Sequence, residues 1–227
     1  MSTKLSDLVI NGSGLYTVRD AARYARMPLS TLKSWFDCKE LARNIAVSEV
    51  NGSYLTFLDL VEVIVMRKLR TKYKVSMRAI REALVEARRR WSEDYLFGNK
   101  DYRIFTNDRE IVILEKDEPS PVQITGKDRG STYFTEFVDF YDFLLYDQNS
   151  PLPLSYKAGT YGELEVFIDP TVLLGRPRVE GSSVSAIALT KAAIAEGSDQ
   201  IAAKLYNVDT QAVIASRRYC EAIGIAA

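Results

Sequence analysis

Apolar residues recur every three or four positions toward both ends of the chain and alternate through much of its middle. That pattern predicts helices flanking a β-rich segment. Near the N-terminus, Thr17 stands as an N-cap ahead of Val18–Ala25, where Val18, Ala21, Ala22 and Ala25 share one helical face. Met27-Pro28-Leu29 stops that helix, because Pro28 disfavours helical geometry at the residue before it. Ser30 reads as the cap of a second short helix, Thr31–Cys38, with Leu32, Trp35 and Phe36 inward and Thr31, Lys33, Ser34 and Asp37 outward. Two short helices on a tight turn form a helix-turn-helix, whose second helix can enter a major groove.

Ala46–Glu49 and Tyr54–Phe57 flank Asn51-Gly52, a dipeptide suited to the positive φ angles of a hairpin turn, so a β wing is expected there. Leu58–Lys72 is apolar on most sides (Leu58, Leu60, Val61, Val63, Ile64, Val65, Leu69) and reads as a buried helix. Ser76 caps the next helix, Met77–Trp91. Its apolar Met77, Ile80, Leu84, Ala87 and Trp91 fall in alternating steps of three and four. Such a seam suits a partner helix and predicts a homodimer, with Leu58–Lys72 as the intramolecular alternative.

In the middle, Tyr102–Phe105 and Glu110–Leu114 predict a hairpin across Asn107-Asp108, and Val122–Ile124 a further short strand. Thr135 is expected to cap a helix from Glu136 to Tyr146. Seven aromatic residues fall between Tyr133 and Tyr146, interleaved with Glu136, Asp139 and Asp142. Those carboxylates would repel a phosphate backbone, so core packing or a protein interface fits the aromatics better than base stacking. Val166–Pro170 reads as a short buried strand, followed by Gly- and Pro-rich extended pieces over residues 175–184. Three helices close the chain: Ser185–Glu196 stopped by Gly197, Asp199–Tyr206, and one capped by Asp209 or Thr210 running to about Ala222. Ile201, Leu205, Val208, Val213 and Ile214 are expected to form their shared core, and the unit is compatible with a second helix-turn-helix. The fold class expected is mainly α with small β elements (α+β), in three units: residues 1–95, 96–158 and 159–227.

Composition narrows the function. The 227 residues include no histidine, which excludes His-based triads, His general bases and His metal ligands. Cys38 and Cys220 are isolated, so neither a structural zinc site nor a disulfide framework is expected. No run is long and apolar enough for a membrane span, and no secretory h-region follows Met1. A cytoplasmic protein that is not an enzyme, with no cofactor and no metal, is the expectation. The net charge of zero conceals a segregation. Residues 1–100 hold 18 Lys and Arg against 11 Asp and Glu, whereas residues 101–175 hold 6 against 14. A basic module followed by an acidic one suggests polyanion binding at one end and a different task elsewhere.

The N-terminal order of motifs resembles the MerR-type winged helix-turn-helix. The resemblance rests on Leu15-Tyr16-Thr17-Val18-Arg19-Asp20-Ala21-Ala22-Arg23, Ser30-Thr31-Leu32-Lys33-Ser34-Trp35-Phe36, Leu41, Asn51-Gly52 and Tyr54–Leu60. The family usually has Arg where Lys33 stands, and a wing Arg near Ser53–Tyr54 is missing. The resemblance implies DNA contacts by Arg19, Thr31, Lys33 and Ser34, with Arg43 and Tyr54 near the wing, and pairing through the helix that carries Met77 to Trp91. Residues Asp169-Pro170 through Ser182 resemble a small antitoxin-like family with the pattern D-P-x(4)-G-x-P-x-[IV]-x-G-[ST], here followed by Ser183 in place of the usual Arg. A MerR-like head on such a tail resembles a subgroup of VapB-type antitoxins. That implies operator DNA and a PIN-domain ribonuclease toxin as partners. The alternative is a stand-alone MerR-like transcription regulator sensing a small ligand.

Overall fold

In the computed structural model the described residues are 15–36, 54–106, 111–115, 122–123, 135–136 and 141–225. The chain enters through β1 (Tyr16–Thr17), which pairs antiparallel with β2 (Tyr54–Leu55), Tyr16 opposite Leu55 and Thr17 opposite Tyr54. Thr17 caps α1 (Val18–Tyr24) by accepting from the Asp20 amide at 3.1 Å, as its hydroxyl and position predict. Arg26, at φ +53, turns the chain before Pro28. The second helix, α2, spans Leu29–Phe36, two residues earlier than expected. Ser30 therefore lies within it rather than capping it, because Pro28 fits the start of a helix, where no amide donor is needed.

The expected strand Tyr54–Phe57 ends at Leu55. Thr56 instead opens α3 (Phe57–Thr71) with a capping box: it accepts from the Asp59 amide while the Asp59 carboxylate accepts from the Thr56 amide at 2.8 Å. Residues 46–53, the rest of the expected wing, lie outside the described residues. Ser76 caps α4 (Met77–Trp91) as expected. The seam does not face outward, however. Ile80, Leu84 and Ala87 are buried within this chain and belong to the same hydrophobic core as Leu60, Val63 and Leu69 of α3, with Met77 and Trp91 packed at its border. A three-four spacing marks any helix lying on its own core, and here that core is intramolecular.

Two antiparallel four-stranded sheets follow. The first has the order β5-β4-β3-β6, with β3 Tyr102–Thr106, β4 Ile111–Glu115, β5 Val122–Gln123 and β6 Thr135–Glu136. The second has the order β10-β9-β8-β7, with β7 Leu144–Tyr146, β8 Pro153–Tyr161, β9 Leu164–Ile168 and β10 Arg178–Val179. Among the described residues of Glu136–Tyr146, the expected helix is not formed. Its start pairs with β3 as β6, a 3₁₀ turn covers Tyr141–Phe143, and its end pairs with β8 as β7. Aromatic residues favour a pleated, half-buried surface over a helix, and the Tyr141 hydroxyl donates to the Tyr102 carbonyl at 3.0 Å. The result is a mixed α+β fold with more sheet than expected. The unit boundary drawn between residues 158 and 159 falls inside the longest strand, β8.

The last three helices match their expected limits: α5 (Ala186–Glu196), α6 (Asp199–Tyr206) and α7 (Thr210–Ala222). Gly197 and Asn207 end α5 and α6 in left-handed geometry, which glycine and asparagine adopt with least strain. Val213 is buried with Leu189, Ala193, Ala202 and Ala203. Val208 packs at the edge of that cluster and Ile214 is half-buried, but Ile201 (49% exposed) and Leu205 (63%) do not join it. The small alanines let these helices approach closely, which leaves the larger side chains of α6 outside.

Beside that small cluster, a larger hydrophobic core extends from Tyr16 to Ile223. Two devices join its parts. Glu62 of α3, fully buried, accepts from the amides of Phe97 and Gly98 at 2.7 and 3.0 Å, bridging the boundary drawn between residues 95 and 96. Gly175, at φ +77, leaves room for the Tyr16 ring, since a Cβ there would collide with the Tyr16 hydroxyl.

Candidate nucleic-acid interface

The N-terminal helix pair is built from the inside outward. Leu32 and Trp35 of α2 are buried, Phe36 is half-buried, and the opposite face exposes Ser30, Lys33 and Ser34. Thr31 is half-buried, and its carbonyl accepts from the Ser34 hydroxyl at 2.7 Å, which holds that hydroxyl back against the helix. Arg19 is exposed in the first turn of α1, where the helix dipole disfavours a cation. Asp20 is engaged by the Thr17 hydroxyl at 2.7 Å. Among the described residues no carboxylate pairs with Arg19 or Lys33. Asp37 and Glu40 lie outside them, as does Arg43. Tyr54, 37% exposed, sits opposite Thr17 in the β1–β2 pair, beside the cap of the helix carrying Arg19. Arg19, Lys33, Ser34 and Tyr54 thus lie exposed on one small substructure, with Thr31 partly covered.

The arginines of α4 are differently placed. Arg78 pairs with Glu82 at 2.8 Å, Arg88 with Asp94 at 2.7 Å, and Arg89 and Arg90 share Glu86. The hydrogen bonds from Arg89 and then Arg90 hold the Glu86 carboxyl down to about 2. Four of the 18 cations counted in residues 1–100 are therefore paired locally, so where the cations lie, and not the regional total alone, decides what the surface presents.

Arg26 carries a role the sequence did not disclose. From the turn between α1 and α2, its guanidinium donates to the Ala158 carbonyl at 3.0 Å and to the Tyr161 hydroxyl at 2.6 Å, both on β8. This anchors the helix pair on the second sheet. A lone arginine beside a Met-Pro turn gives no signal of a partner more than 130 residues away.

Buried carboxylates occur here too. Burial raises the Asp59 carboxyl to about 7 against the opposing hydrogen bonds from Thr56. It raises Glu62 to about 8 against those from Gly98 and Phe97, helped by the nearby charges of Asp59 and Glu93. Both groups hold structure, one as a cap and one as a bridge. Among the described residues, no group of three or more Cys, Asp or Glu side chains is arranged to hold a metal ion. No described helix is long and apolar enough to cross a membrane.

No protein-family model and no curated protein matches the chain. Among solved structures, the X-ray crystal structure of Rv2018 from Mycobacterium tuberculosis resembles it with a TM-score of 0.60 and 19% sequence identity, covering 88% of this chain and 96% of that one. Coverage that wide concerns the whole arrangement rather than one element. At that identity, it is the fold that is shared.

Proposed function

We propose that the chain is the antitoxin of a type II toxin–antitoxin pair, a VapB-type protein whose MerR-like N-terminal helix pair binds operator DNA and whose remainder neutralises a PIN-domain ribonuclease. The observation that carries the DNA-binding half is the exposed face of α2, where Lys33 and Ser34 project opposite the buried Leu32 and Trp35. Arg19 serves as a phosphate contact that fixes orientation, and Lys33 reaches a phosphate or a guanine edge. The excess of carboxylates over residues 101–175 supports assigning the other task to a protein rather than to nucleic acid. The reading includes a homodimer, whose surface is not the buried face of α4. A second reading, a MerR-like regulator sensing a small ligand, is favoured by one feature, a cavity of about 940 Å³ beside α7.

Gel shifts with the DNA upstream of the gene, combined with rescue of growth in cells expressing an adjacent toxin gene, test the proposal. Arg19→Ala is expected to weaken binding to all sequences and to lower the salt slope by about 1, whereas Lys33→Ala also blurs operator preference by roughly 1–3 kcal/mol. Rescue is expected to survive both changes. Its loss in a folded variant would place these residues on the toxin side.

A further inference from the structure

The cavity beside α7 is an open groove with three walls. The β8–β9 hairpin forms one, turning at Gly162-Glu163 between the paired Tyr161 and Leu164. The loop over residues 180–183 forms the second, and the α6–α7 turn with the outer face of α7 forms the third. At about 940 Å³ it has room for several side chains.

The chemistry of the lining is uneven. Glu163, Glu180 and Asp209 contribute three carboxylates against the single guanidinium of Arg218, while Val208 and Ile214 supply apolar surface. Glu163 and Glu180 are exposed and have no ion-pair partner among the described residues. One Asp209 oxygen is occupied, accepting from the Gln211 amide at 2.6 Å. The only other arginine on α7, Arg217, is turned to Asp199 at 2.8 Å. This helix pair therefore has the form of a helix-turn-helix with a hairpin beside it, but its groove carries the charge that repels a phosphate backbone.

We propose that the groove docks an arginine- or lysine-bearing segment of a protein partner, with cations against Glu163 and Glu180 and apolar side chains on Val208 and Ile214. A ribonuclease presents a basic surface to its RNA, so an acidic groove can cover that surface by occupying it in place of the polyanion. Identifying the partner as the toxin rests on the antitoxin reading; the docking chemistry does not.

The test uses the full chain and a fluorescein-labelled peptide alternating arginine and leucine, followed by fluorescence anisotropy, with a glutamate–leucine peptide as control. The arginine peptide is expected to bind at least about tenfold more tightly than the control, and Glu163→Lys with Glu180→Lys to weaken it by about tenfold or more. Ile214→Ser is expected to weaken it with a smaller dependence on salt. Circular dichroism and a thermal melt establish that the variants are folded, as the exposure of both glutamates predicts. Equal binding of the two peptides, or no change in the glutamate variant, would overturn the proposal. So would competition by a short DNA duplex that Arg218→Ala abolishes, since the groove would then serve nucleic acid. None of these outcomes touches the operator gel shift or the growth rescue, so the groove and the antitoxin reading fail separately.

Discussion

The chain contains two short helix pairs joined by tight turns, α1–α2 near its start and α6–α7 near its end, and their backbones obey the same rules. Each opens on a hydroxyl cap, Thr17 or Ser198, and each turns through a residue at positive φ, Arg26 or Asn207. Each also buries an apolar face against a sheet or a neighbouring helix. The difference lies in what the exposed faces carry. Lys33 and Arg19 stand without carboxylate partners among the described residues, whereas Arg217 is paired with Asp199 and Arg218 shares a groove with three acids. Helix-turn-helix geometry thus leaves the partner open. The sign of the charge on the second helix and its surroundings selects it.

The supports of the two pairs also differ, and this gives the largest effect to test. The N-terminal pair shares its core with α3 and α4, so Ile80→Arg with Leu84→Arg places two charges where the side chains are 0% and 4% exposed. Charges buried without partners destabilise by several kcal/mol, on the order of the whole stability of a domain. The double variant is expected to lose its cooperative thermal transition and its DNA binding together. A folded variant of half the wild-type mass in light scattering would instead mean that this face belongs to a dimer.

A smaller effect separates the halves by pH. The N-terminal half buries two carboxyls, Asp59 and Glu62; the C-terminal helices bury hydroxyls that donate within their own helix, Thr190 to Ala186 and Ser216 to Ala212. With the folded Glu62 raised to about 8 by burial, the folded state keeps a proton that the unfolded chain has already lost. Its contribution is therefore fully present below the ordinary carboxyl range, declines as pH rises toward 8, and is flat above that. Glu62→Gln keeps an acceptor for the Phe97 and Gly98 amides and removes the charge. It is expected to flatten this decline, leaving the part due to Asp59, and to raise Tm by several degrees at pH 8.5. Identical Tm–pH profiles for the two proteins would show that Glu62 is ionised at little cost, contrary to its surroundings.

What the sequence disclosed follows from how local each signal is. The caps Thr17 and Ser76 and the stop at Gly197 depend on residues within one turn, and all were legible, whereas Ser185, read as the first residue of its helix, caps it instead. So was the β3–β4 hairpin, whose register pairs Tyr102 with Glu115 and Thr106 with Ile111. The failures involve partners remote in the chain. The three-four pattern of α4 says that one face is buried but not by what. The aromatic run before Tyr146 carries helical and strand spacing at once, and only pairing with β3 and β8 decides between them. The nine-residue β8 was missed because Gly159 and a register shift between Lys157 and Gly159 interrupt its alternation. For the candidate site, Arg19, Lys33 and Ser34 were legible as outward positions. The anchoring bonds of Arg26 and the acidic groove arise only when β8, β9 and α7 come together.

The central claim is that the first helix pair faces DNA and the last does not. Its most direct test is the affinity of the full chain for upstream duplex DNA at several salt concentrations, comparing Arg19→Ala with Lys33→Ala against Arg217→Ala with Arg218→Ala. Each variant removes two formal positive charges, so the net charge of the chain changes equally. The account predicts that the first variant loses affinity and that its slope in log Kd against log salt falls by about 2, while the second keeps the wild-type slope. A reduced slope in the second variant, with the first unchanged, would contradict it.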